Sequence, residues 1–101
     1  MRIAAFVDDL WDRSRLESAI PGTTFVRAPE EAASFDTVVV DLARYGGQLT
    51  AIRSACPGTR VVAYGPHVIL EDFPVDHATG ADVCVPRSRF FRDPAFVIAN
   101  D

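Results

Sequence analysis

The chain has 101 residues, 49% of them hydrophobic and 24% charged, with a formal net charge of −4. Such totals describe one globular domain over residues 1–101, and no apolar run nears the ~18 residues that a membrane span needs. The acid excess excludes nucleic acid as the main partner, since neutralising phosphates takes clustered cations.

Ile3 to Val7 is the first predicted strand. Asp8 and Asp9 end this apolar run too early for a signal peptide, and no small-residue cleavage site follows, so a cytoplasmic location is expected. Leu10 to Ile20 reads as a helix, with Leu10, Leu16, Ala19 and Ile20 toward the core and Asp12, Arg13, Arg15 and Glu17 toward water. Pro21-Gly22 stops it. Thr23 to Arg27 is a second strand, rich in β-branched and aromatic residues. Pro29 opens a short helix running to Ser34, with Glu30 and Glu31 near its positive end.

Thr37 to Leu42 is the third strand, and Val38-Val39-Val40 is the continuous apolar run expected where both sheet faces are covered. Gly46-Gly47 breaks the chain before a helix over Gln48 to Cys56, which Pro57-Gly58 ends. Arg60 to Tyr64 is the fourth strand and Gly65-Pro66 a turn. Pro74 forbids one long helix from Ile69 to Ala78, which leaves a short fourth helix from Pro74 to Thr79, closed by Gly80. Asp82 to Val85 is the fifth strand. Arg87-Ser88-Arg89, with Arg92, is a solvated loop or a helix start. A last helix of scarcely two turns begins near Pro94.

Strands alternating with helices predict an α/β fold: a doubly wound five-stranded parallel sheet in the order 2-1-3-4-5, with the fourth and fifth helices shortened. Cys56 and Cys84 read as reduced, mostly buried thiols, since two cysteines make neither a disulfide framework nor a zinc site. His67 and His77 lack a third ligand for a metal and read as solvated or locally bonded, although Gly65-Pro66-His67 can serve as a contact loop.

Ligands bind such sheets beyond the carboxyl ends of the strands, at the switch point between strands 1 and 3. Strand 1 ends in Asp8-Asp9, strand 3 in Asp41, strand 4 in Tyr64-Gly65-Pro66 and strand 5 in Pro86-Arg87-Ser88. Three carboxylates brought together repel one another, so they call for a cation or raise their own pKa values. Hard oxygen ligands suit Mg²⁺ at Asp8, Asp9 and Asp41. Arg87 can instead supply the charge by gripping Asp41. The plainer alternative makes Asp9 the cap of the first helix and leaves Asp8 and Asp41 as solvated strand-end carboxylates. Trp11, out of phase with the core stripe, is expected to pack over the mouth of this pocket.

Val7-Asp8-Asp9, Val38-Val39-Val40-Asp41-Leu42 and Gly80-Ala81-Asp82, followed by Arg87, occur in the order and spacing of one family. Over nearly its whole length the chain resembles the receiver domain of bacterial response regulators. The resemblance implies a flavodoxin-like fold, Mg²⁺ held at the acid pair, and Asp41 as the phosphoacceptor. It also implies a protein partner on the face built from the fourth helix, fifth strand and fifth helix. The departures are specific. Gly65, after Tyr64, stands where the family has a hydroxyl, Arg87 stands for its lysine, Ser88 for the proline that follows, and the loop after Asp41 is shortened. These changes mark an atypical, or pseudo-, receiver.

Phe90, Phe91, Phe96, Val97 and Ile98 give the chain an apolar end. Either they cover the fifth strand, or Phe90, Phe91 and Phe96 form a homodimer or partner surface. No glycine-rich phosphate loop follows strand 1, and no serine elbow is present. The adjacent aspartates also lack the spacing of a haloacid-dehalogenase-like phosphatase. The expected function is a stand-alone regulatory module that acts through protein contacts and is not an enzyme. The alternatives are a true phosphoacceptor using Asp41 and Mg²⁺, and a small metal-dependent phosphohydrolase built on the same acids.

Overall fold

The structure is a computed structural model and describes residues 1–100. Its centre is a parallel sheet of β1 (Ile3–Phe6), β2 (Thr24–Phe25), β3 (Thr37–Asp41), β4 (Arg60–Gly65) and β5 (Val83–Pro86), in the order β2-β1-β3-β4-β5. This is the doubly wound, flavodoxin-like topology read from the alternation of strands and helices. Ala4 pairs with Val38, and Val38 with Val61, in one continuous register across the three central strands.

Side chains alternate across that sheet, and both faces are packed. Ala4, Phe6, Val38, Val40, Val61 and Ala63 meet residues from α2 (Leu42–Tyr45) and α3 (Leu49–Ala55) on one face. Ile3, Ala5, Val7, Val39, Val62 and Tyr64 meet α1 (Leu10–Ala19), α5 (Arg87–Arg92) and α6 (Pro94–Asn100) on the other. Burial of each large side chain contributes about 1.5–3 kcal/mol, which is why an unbroken valine run suits β3. The remaining helix, α4 (His67–Leu70), is a single turn, and Pro29–Ala32 forms a 3-10 turn instead of a helix reaching Ser34. Gly22, at φ 89°, takes the left-handed turn that leads from α1 to β2.

Several expectations need correction. The buried residues of α1 are Asp12 and Leu16, with Ile20 partly buried beyond them. The inward stripe is therefore 12-16-20, and Leu10 and Ala19 lie outside. The fourth helix is not at Pro74–Thr79. There the Asp76 carboxylate accepts the N–H groups of Ala78 and Thr79 and the Thr79 hydroxyl, which closes a side-chain turn in place of a helix. Gly46-Gly47 does not break the chain but continues as a 3-10 turn into α3. A Cβ at Gly46 would lie 2.6 Å from the Phe73 ring, so glycine is needed there for that ring's close approach.

Phe90 and Phe91 are 0% and 7% exposed and belong to the core, not to a partner surface. Phe90 stacks on Tyr64 with ring centroids 4.8 Å apart, and Phe91 meets both rings edge-on. Phe96 does stay outside, at 54% exposure.

Candidate functional site

The carboxyl ends of the strands open into a cleft of about 410 Å³ lined by Asp8, Asp9, Asp12, Asp41, Ala43, Arg44, Pro66 and Arg87. Pairing of β1 with β3 is what places Asp8, Asp9 and Asp41 there together. Each acid has a distinct local role. Asp9 is the N-cap of α1, accepting the Asp12 N–H at 3.0 Å. Asp41 caps α2 in the same way, accepting the Ala43 N–H at 3.1 Å on Oδ1.

Asp8 is engaged on both oxygens. The Tyr45 hydroxyl donates to Oδ1 at 2.6 Å and Arg44 donates to Oδ2 at 3.3 Å, while Arg13 lies 3.8 Å away. The Tyr45 hydrogen bond, helped by Arg44 against a burial penalty, holds the Asp8 carboxyl below its ordinary pKa. Burial and the adjacent carboxylate raise the pKa of Tyr45, which keeps it a donor.

Asp41 has the opposite character. It is 6% exposed, and its second oxygen, Oδ2, takes no hydrogen bond from the described residues. Burial raises its pKa. The Ala43 N–H opposes that rise, the charge of Asp12 adds to it, and Arg87 offsets part of it.

Arg87 does not grip Asp41, as the sequence suggested. It donates through Nε and Nη2 to Asp12, which is 1% exposed, and the Tyr64 hydroxyl donates to the same carboxylate at 2.9 Å. A buried carboxylate needs such donors, because unpaired charge in the interior is costly. The Arg87 guanidinium also lies over the Phe91 ring at 5.2 Å, with Arg15 over the same ring at 4.8 Å. Burial and the Asp12 and Asp41 carboxylates push the Tyr64 hydroxyl far up in pKa, so it stays protonated and donating.

Gly65 is buried beside this cleft, where a Cβ would lie 3.3 Å from the Leu42 Cβ and 3.4 Å from the Ile69 Cδ1. Trp11 does not cover the mouth but is 78% exposed. His67 is exposed, and His77 bonds Asp82 at 2.6 Å. Cys56 and Cys84 are unbridged thiols whose pKa values burial raises.

Tyr45, Arg44 and Asp12 were missed in sequence. The first two fell in a stretch read as a loop, although an aspartate at the end of a strand is a helix-cap signal that puts the residues after it on a helical turn. The spacing of Asp12, Leu16 and Ile20 carried the signal for the third, masked by its charge.

For Mg²⁺, these acids form no ready-made cage. Among the described residues no group of three or more histidine, cysteine or acidic side chains is gathered for a metal ion. A cation at Asp8 would compete with Tyr45 and Arg44 for the carboxylate oxygens. Among the described residues no helix is long and apolar enough to cross a membrane. No protein-family model matches the chain, and no curated protein matches it in sequence.

Proposed function

We propose that the chain is a receiver-like regulatory module of the atypical kind, working through protein contacts without turnover of a substrate. The observation that carries this reading is the commitment of Arg87 to buried Asp12, a carboxylate to which the Tyr64 hydroxyl also donates. A cation that stabilises a phosphoryl group on Asp41 must be free to face the transferred oxygens. Here the cation at that place also stabilises the core, and withdrawing it would leave the Asp12 charge buried without it. Gly65 adds no hydroxyl that could follow a phosphate. Asp8 is likewise balanced by Tyr45 and Arg44.

One observation favours a second reading. Asp8, Asp9, Asp41 and Arg87 do line one cleft at the functional end of the sheet. In that reading Asp41 is the phosphoacceptor, and Asp8, Asp9 and Asp41 hold Mg²⁺ once Tyr45 and Arg44 release Asp8. A metal-dependent phosphohydrolase would use the same cleft.

The test is an amide NMR titration with Mg²⁺ and beryllofluoride, a phosphoryl mimic. The regulatory reading expects no response spreading beyond the cleft. Shifts running from Asp41 through β4 to β5 would overturn it in favour of the phosphoacceptor, and turnover of a generic phosphoester would overturn it in favour of the hydrolase.

A further inference from the structure

α2 is a single turn of four residues. One turn gains too little from its own hydrogen bonds to hold itself in place, so its position is set by what it is tied to. Three ties come from the cleft. Asp41 caps the first turn, and Asp8 accepts from Arg44 and from the Tyr45 hydroxyl. A fourth contact follows directly after Tyr45. The Phe73 ring lies so close to the Gly46 backbone that a Cβ there would be 2.6 Å from it. A close-packed contact has no slack and passes a displacement on.

Phe73 belongs to residues 66–82, the connection between β4 and β5. This connection starts at Pro66, which lines the cleft, and ends at Asp82, which Arg53 holds. Phe73 packs on the same core cluster as Leu42 and Tyr45 of α2. Every other residue from 71 to 79 is exposed, so this ring is what seats that stretch on the core. Beyond the ring, the Asp76 N–H donates to the Ala81 carbonyl at 3.0 Å and the Gly80 N–H to the Asp76 carbonyl at 2.8 Å. Val75, between Phe73 and Asp76, is 51% exposed and lines a hollow of about 340 Å³ beside β5 with Cys84 and Arg89.

We propose that α2 couples the acidic cleft to the surface beside β5. An input that takes Asp8 from Tyr45 frees α2, the Gly46–Phe73 contact slackens, and the stretch from 71 to 80 loosens with it. Coupling of this kind needs one element whose position both ends bias, and α2 is held at both ends. The route bypasses Gly65, which has no hydroxyl to act through, and it does not depend on which input reaches Asp8. Mg²⁺ and beryllofluoride, expected to leave Asp8 with Tyr45, would not use it.

The experiment compares amide hydrogen exchange in the parent chain, Tyr45→Phe, Phe73→Leu and the double variant. Tyr45→Phe removes only the hydroxyl and keeps the ring that meets Phe6 edge-on at 5.4 Å. It is expected to speed exchange at Phe73, Asp76 and Gly80 about fivefold, the effect of one lost hydrogen bond. Amides of β3 and β4, which open only with the whole fold, should change less than about twofold. Where Phe73→Leu has already removed the ring contact, adding Tyr45→Phe should alter exchange from 73 to 80 by less than about twofold. No acceleration in Tyr45→Phe, an acceleration shared equally by β3 and β4, or the full effect repeated on top of Phe73→Leu would each overturn the proposal.

Discussion

Asp41 shows how one residue can stabilise a helix start and still carry an energetic debt. Its Oδ1 caps α2, while burial holds its pKa above the ordinary 3.8. A folded-state pKa above the unfolded one means that the folded chain binds the proton more tightly. The resulting stability is full below the unfolded value and is lost as pH rises through the raised one. At neutral pH the ionised carboxylate therefore costs stability. Asparagine keeps an oxygen for the Ala43 N–H and has no charge to bury. Asp41→Asn is expected to stabilise the chain at neutral pH by about 1 kcal/mol. Thermal unfolding across a pH series checks this: the advantage should fade toward pH 3.8 and below, where the parent is protonated too. A variant that is no more stable at neutral pH would contradict it. At this scale the sequence was partly legible. Asp8, Asp9 and Asp41 could be placed at one end of the sheet from strand order alone. The partners of Asp8 could not, because Tyr45 and Arg44 reach it through side-chain directions that no periodicity encodes.

At the scale of elements, local pattern and tertiary contact divide the outcome. Val38-Val39-Val40 has one natural reading, a central parallel strand, and β3 is that strand. The segment from Phe73 to Asp82 lacks such a pattern. Its course follows from Asp76 closing its own turn and from Arg53, which is invisible as an anchor in sequence because arginines are ordinarily solvated. Arg53 is 3% exposed. It donates to the Gly80 carbonyl at 2.9 Å, the Thr59 carbonyl at 2.8 Å and the Asp82 carboxylate at 2.7 Å. Burial penalises the Asp82 carboxylate, yet bonds from His77, the Val61 N–H and Arg53 together hold its pKa below the ordinary value. Replacing Arg53 with methionine keeps much of the volume but leaves those acceptors without it. A loss of about 3 kcal/mol is expected. In hydrogen exchange, amides from Asp76 to Asp82 should lose protection before those of β1 and β3. Uniform loss across the sheet would mean that Arg53 acts as general packing and not as the anchor of this segment.

For the whole molecule, the Asp12–Arg87 pair joins positions 75 residues apart. It ties α1 to the start of α5 across the second core, beside the stacked Tyr64 and Phe90. The topology requires such a closure. β5 is an edge strand, and α5 and α6 return from it to cover the face that α1 also covers. Two physical costs are in competition. Desolvating Asp12 is expensive, and an apolar replacement could close the same gap without charge. The asymmetry between removing one partner and removing all three decides which effect dominates. Arg87→Met should leave the buried Asp12 carboxylate without its cation and cost about 3 kcal/mol. For a domain of this size that is about 10–20 °C in unfolding midpoint. Arg87→Met combined with Asp12→Leu and Tyr64→Phe removes the charge and both of its donors, and should recover most of that loss. Denaturant midpoints of the single and triple variants distinguish the cases. A triple variant as unstable as Arg87→Met would show that the polar network, and not the stranded charge, closes the fold. Recovery in the triple variant would mean that stability alone does not require these polar groups.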